Sequence, residues 1–173
     1  FSNHQLKIII MKPGDILGGD SEKLNTIIAN NFWMELYKGL DTRILNNYDL
    51  VNIETLKEYF AVYRKRVIKN NNYYLMRLVR KISPIKVFQP LTIFINDLDL
   101  TVKFDYLDNY FQITNDQAML IMKSESLAFI FKNSFGFDTL TVNGCFEEFS
   151  KGGFINSTKT FAIENFNNNG IYF

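Results

Sequence analysis

Apolar and polar positions follow two different rhythms along this chain. Between about residues 20 and 83 the apolar side chains recur at helical spacing, and between about 90 and 149 strands dominate, with strict alternation from Leu98 to Asp105. Leu24, Ile27 and Ile28 open an apolar face that Phe32, Leu36, Tyr37 and Leu40 continue, with Asp20 or Ser21 as the cap, Glu22 in the first turn and Gly39 as the stop. Asn52 caps a second helix, in which Leu56, Tyr59, Phe60, Tyr63 and Val67 lie opposite Lys57, Arg64 and Lys65. Asn70 to Asn72 break it. Leu75, Leu78, Val79 and Ile82 then form another stripe, with Arg77, Arg80 and Lys81 opposite. This is the pattern of a helix that packs through its apolar side, and Pro84 ends it.

Beyond Pro90 the period drops to two. Leu91 to Ile95 reads as an apolar strand. Leu98, Leu100, Val102 and Phe104 alternate with Asp99, Thr101, Lys103 and Asp105 as a half-buried one, with a hairpin turn or a bulge at Asn96-Asp97. Tyr110 to Thr114 is a third strand, after a turn at Asp108-Asn109. Asn115 or Asp116 caps a short helix carrying Ala118, Met119, Leu120 and Met122. Ser124 caps another carrying Leu127, Ala128, Ile130 and Phe131. Thr139 to Phe149 reads as a strand with Asn143-Gly144 as a turn or bulge inside it, and Ser157 to Phe166 as a final helix after Gly152-Gly153. Ile-rich Leu6 to Met11, closed by Pro13-Gly14-Asp15, has the signature of a buried strand with no nearby partner. Helices followed by strands argue an α+β fold: a helical N-terminal half, then a small antiparallel sheet with packed helices. The organisation expected is 1–19 as the tail of an upstream domain, 20–89 as a helical lead-in and 90–173 as an α+β module.

Charge changes this picture in one place. The net charge is +1, yet residues 57 to 86 carry nine Lys and Arg residues against Glu58 alone. Such a block raises the question of an anionic partner, with Arg64, Lys65, Arg77, Arg80 and Lys81 as candidate contacts. Tyr59, Tyr63, Tyr73 and Tyr74 interleave with the cations, as stacking on nucleic acid would require. Tyr59 and Tyr63 fall on or beside the apolar stripe, however, so nucleic acid is the less favoured partner and a solvated helix face the simpler reading. Seventeen Phe and nine Tyr residues require either a bulky core or a lined cavity. One cysteine, Cys145, allows no intrachain disulfide, which points to a reducing, cytoplasmic setting. No apolar run has the length of a membrane span.

The residues for several chemistries are missing. A catalytic zinc site takes about three protein ligands, and the chain has one His, His4, and one Cys. A Ser-His-Asp triad would depend on His4 near a terminus. Gly18-Gly19-Asp20 before a helix reads as a turn and cap rather than an anion site. Asp97, Asp99, Asp105 and Asp108 invite a carboxylate-pair reading, but Asp99 and Asp105 fall on the polar face of an alternating strand, where solvated carboxylates are the rule. Cys145 has no basic neighbour to activate it and reads as a buried, inert thiol.

Leu98 to Glu148, and most clearly the run Phe135-Gly136-Phe137-Asp138-Thr139-Leu140-Thr141-Val142-Asn143-Gly144-Cys145-Phe146, resembles the sterol-carrier-protein-2-like fold. The run also looks like the C-terminal region of metallo-β-lactamase-fold hydrolases, and Ile8 to Asp15 is similar to the last strand and turn of such a hydrolase domain. The hydrolase metal motif HxHxDH does not occur. The resemblance therefore implies no catalytic residue, no metal and no cofactor on this chain, with zinc chemistry on an upstream hydrolase domain. It implies a non-catalytic accessory module that binds a lipid or other apolar small molecule, shapes a substrate, or pairs with the hydrolase or with a second copy. The expected pocket wall is Phe104, Phe111, Met119, Met122, Phe129, Phe131 and Phe135. The alternative is a basic helical module that binds nucleic acid or an anionic membrane surface.

Overall fold

The computed structural model describes residues 9–18, 24–38 and 49–173, which belong to two compact units, Phe1–Asn47 and Tyr48–Phe173. In the first unit, Pro13 and Gly14 make the expected turn, and the Asp15 carboxylate accepts the Lys12 backbone N–H at 2.8 Å. Residues 9–11 are not in a strand, and the rest of the expected strand lies outside the described residues. Helix α1 (Thr26–Lys38) is capped by Asn25, whose side chain accepts the Ile28 N–H at 3.1 Å. Asp20, Ser21 and Gly39, the expected cap and stop, lie outside the described residues, as does His4. The α1 face that packs holds Ala29 and half-buried Trp33, whose indole donates to the Met11 carbonyl at 2.7 Å. Ile27 and Ile28, expected inside, face outward.

The second unit is α+β. It comprises α2 (Ile53–Asn70), α3 (Tyr73–Ile82), β1 (Leu91–Ile95), β2 (Leu100–Asp105), β3 (Tyr110–Ile113), β4 (Leu120–Met122), α4 (Ser124–Lys132), α5 (Gly136–Asn143), β5 (Phe146–Glu148) and α6 (Gly153–Asn168). The sheet order is β3-β2-β1-β4-β5. All neighbours are antiparallel except β1 and β4, which run parallel with Ile93 opposite Leu120. The 96–99 turn closes the expected hairpin between β1 and β2, with Asp99 at φ 52°.

One sheet face carries Leu91, Ile93, Ile95, Val102, Phe104, Leu120 and Met122, all buried in one core with Leu56, Phe60, Tyr63 and Val67 of α2 and Leu127 and Phe131 of α4. The connection from β3 to β4 is tied to β2 by Lys103, which meets Asp116 at 2.8 Å. On the helical side α2 packs against both α4 and α6. Two polar ties fix these helices. Asp97, in the β1–β2 turn, accepts the Ser124 N–H at 2.7 Å and its hydroxyl at 2.6 Å, so a carboxylate from the hairpin caps α4. Asn71 and Asn167 exchange side-chain hydrogen bonds at 2.8 and 2.9 Å, and Asn71 also holds the Phe173 N–H at 3.0 Å. Phe173 is thereby pinned to the break between α2 and α3.

Two expected elements take the other form. In place of the helix expected over 118–122, Leu120–Met122 is a strand, because it is bracketed by β1 and β5 and its backbone completes both ladders. In place of the strand expected to begin at Thr139, residues 139–143 close a helix. Thr139 and Thr141 turn their hydroxyls back onto the carbonyls of Phe135 and Phe137, and Gly144 at φ 64° stops the helix with Cys145 N–H on the Leu140 carbonyl. That ending places Cys145 in an exposed turn rather than a buried strand.

Gly153 starts α6 where it meets the entry to β4. A Cβ there would stand 2.2 Å from the Met119 carbonyl oxygen, a backbone atom that cannot yield without moving the strand. Gly153→Ala is expected to destabilise the unit by roughly 2–4 kcal/mol, because a methyl group is forced onto packed backbone. Urea denaturation measures this; a loss under about 0.5 kcal/mol would mean that α6 and β4 do not approach so closely.

Candidate functional site

Of the seven expected pocket residues, Phe104, Phe111 and Phe131 come together. Their ring centroids lie 5.2 to 6.2 Å apart, and Phe60 of α2 sits 5.6 Å from each of them. The rings pack on one another at ordinary aromatic spacing. Met122 is buried on β4 opposite Ile95. Met119 is half-buried and close to Gly153. Phe129 and Phe135 form a separate pair at 6.2 Å, with Phe135 exposed. An open cleft of about 350 Å³ has Asn96, Ser126, Cys145 and Glu147 among its walls, and of the seven expected residues it takes Met122 alone.

The basic residues of α2 and α3 are not equivalent. Arg64 donates Nε to the Tyr106 carbonyl at 2.9 Å. Arg66 forks onto Glu164 of α6, whose carboxylate is only 7% exposed. Burial raises the Glu164 pKa above its usual value, and Arg66 opposes that rise. Arg80 bridges Asp105 and Asp108, with a 3.1 Å bond to Asp108; its side chain is 14% exposed and that of Asp105 is 1%. Asp105 also accepts the N–H groups of Leu107 and Asp108 at 2.8 and 3.2 Å, so it organises the turn after β2. The alternation of β2 predicts a solvated carboxylate here. It is buried instead because Arg80 neutralises it. Arg77 pairs with Asp108 at 3.0 Å and donates to the Tyr73 hydroxyl at 2.6 Å. Lys65 and Lys81 are exposed and make no ion pair among the described residues.

These pairings set the roll of α3. At 100° per residue, Arg80 stands between Met76 and Tyr73 on the helix surface, and Met76 is fully buried. The inward arc is therefore Tyr73, Met76, Val79 and Arg80. The outward arc holds Tyr74, Leu75, Leu78 and Ile82, with Lys81 and Arg77 along one border. Leu78 is 52% exposed, Ile82 66% and Tyr74 81%, and Ile85 just beyond the helix is exposed as well. Of the stripe Leu75, Leu78, Val79 and Ile82, expected to pack, only Val79 does, since the core had to take the arginine. The outward row is what sequence reasoning missed. Its signal was a second apolar arc, Tyr73, Met76 and Val79, that shares its side with an arginine able to meet Asp105.

Among the described residues, no three His, Cys, Asp or Glu side chains gather as a metal site would require, and no helix is long and apolar enough to cross a membrane. Within the second unit, the α3 row is a feature whose composition asks for a partner, since contiguous exposed apolar side chains are uncommon where nothing covers them.

Arg80→Met leaves Asp105 buried without its cation, and the expected loss is about 3–5 kcal/mol of unfolding free energy. Lys65→Met and Lys81→Met should each stay within about 0.5 kcal/mol of the parent. Denaturant titration of the three variants separates them; similar small losses for all three would show that Arg80 does not hold α3 in place. No protein family, curated protein or solved structure matches the chain, so the reading of this face rests on its own residues.

Proposed function

We propose that this chain is a non-catalytic accessory module that docks onto another surface through the outward face of α3. The observation that carries the reading is the roll of that helix, with Arg80 and Met76 turned in and Tyr74, Leu75, Leu78 and Ile82 turned out. An apolar side chain moved wholly from water into an interface gains about 1.5–3 kcal/mol, so four such residues in a row offer a partner several kcal/mol. Docking is favoured over an internal apolar-ligand pocket because Phe60, Phe104, Phe111 and Phe131 already occupy the space between sheet and helices with one another's rings.

The variant Leu75→Gln/Leu78→Gln/Ile82→Gln keeps helix propensity, since Gln ranks close to Leu. It is expected to unfold within about 1 kcal/mol of the parent, because the side chains it changes are exposed. It is also expected to elute much earlier from a phenyl-substituted column under native conditions. A loss of several kcal/mol would place these residues in the core and end the reading, as would unchanged retention on the column.

A further inference from the structure

From the border of cations along the apolar row, we infer that the partner of α3 is an anionic lipid bilayer, on which the helix lies flat with Leu75, Leu78, Ile82 and Ile85 in the headgroup boundary. The inference rests on the docking reading above and names its partner. The stretch from Tyr73 to Phe88 contains Arg77, Arg80, Lys81 and Lys86 and no Asp or Glu. Arg80 is spent on Asp105, and Arg77 is shared with Asp108. Lys81 and Lys86 are exposed and make no ion pair among the described residues, so they remain for an outside anion. On the helix surface Lys81 follows Tyr74 at the edge of the apolar row. Lys86, at φ 52°, follows exposed Ile85 in the turn just after the helix, closed by its N–H on the Ser83 carbonyl at 3.2 Å.

This is the arrangement of an interfacial helix. An apolar arc enters the acyl boundary, a tyrosine sits at headgroup level and lysines reach the phosphates beside it. Ten residues make a helix of roughly 15 Å, too short to span a bilayer but long enough to lie on one. The row stands on a convex helix surface, and a fluid, planar partner can accept such a row without a matching groove. The helix is also ordered in advance. Asn72 caps its start through the Leu75 N–H at 3.1 Å, Arg80 holds its roll, and Phe88 is buried against Phe173 just after it. Adsorption then carries little of the ordering cost that a disordered segment would meet.

Co-sedimentation of the chain with vesicles tests this. Phosphatidylcholine vesicles containing about 30 mol% phosphatidylserine present the negative surface; vesicles of phosphatidylcholine alone do not. The chain is expected to bind the first at least about tenfold better, and to lose most of that binding between roughly 50 and 500 mM salt. Lys81→Gln/Lys86→Gln, which leaves the apolar row intact, should weaken binding to the anionic vesicles by about tenfold. The Leu75→Gln/Leu78→Gln/Ile82→Gln variant should abolish it. Equal binding to both vesicles, or binding unaffected by the lysine changes, overturns the inference. Failure to bind either vesicle by a chain that the phenyl column still retains overturns the bilayer and leaves docking standing. A dimer that the triple glutamine variant dissociates, with no vesicle binding, overturns the bilayer and assigns the row to a second copy instead. If the column does not distinguish parent from triple variant, the docking reading itself fails.

Discussion

The contact between Arg80 and the buried Asp105 decides how the helical layer presents itself. A carboxylate this deep costs several kcal/mol unless a cation and hydrogen bonds surround it. Asp105 has both: the N–H groups of Leu107 and Asp108 on one oxygen and the Arg80 guanidinium on the other. The planar fork of arginine lets one side chain serve Asp105 and Asp108 together, which a lysine could not do with the same geometry. Because β2 ends at Asp105, the helix that supplies Arg80 must turn that side toward the sheet. The outward row on α3 follows from this requirement, since a helix that buries an arginine and Met76 has little inward surface left for Leu78 and Ile82.

Around that contact the unit is tied by a few polar links at the edges of an aromatic core. Asp97 caps α4 from the hairpin, Arg66 meets Glu164 between α2 and α6, and the Asn71–Asn167 exchange holds the residues around Phe173. The Tyr106 hydroxyl reaches the Thr160 carbonyl at 3.2 Å, and the Thr160 hydroxyl donates to the Gln89 carbonyl at 2.9 Å, so α6 holds the segment leading into β1. Tyr63 is fully buried within the core, its ring close to Tyr106, Phe131 and Phe161; burial pushes its pKa well above the usual tyrosine value, and its hydroxyl finds no partner among the described residues. With these links in place the α3 row is a fixed surface rather than a frayed one.

Much of the fold was legible where local rules decide it. Asn52 caps α2 as its side chain predicts, Asn70 to Asn72 separate two helices, and the alternation through Phe104 places β2 with Val102 and Phe104 inside. The misses lie where distant partners decide. Leu120–Met122 is too short for periodicity to separate strand from helix, and its neighbours β1 and β5 settle the matter. Thr139 to Val142 carry strand-forming side chains, yet Phe137 and Leu140 pack as a helix and the threonines satisfy themselves along it. The roll of α3 was hidden for the same reason: two apolar arcs share the helix, and the arbiter is an aspartate 25 positions on from Arg80.

Thiol accessibility tests that roll most directly. Two double variants, Met76→Cys/Cys145→Ser and Leu78→Cys/Cys145→Ser, each carry a single thiol, and its reaction with a soluble disulfide reagent is timed under native conditions. The thiol at position 78 is expected to react near the rate of an unfolded chain. The thiol at position 76 is expected to react at least about a hundredfold more slowly, since its exposure requires the unit to open. Protection at 78 with rapid reaction at 76 would mean that the apolar stripe faces the core, and the outward row with everything built on it would be contradicted.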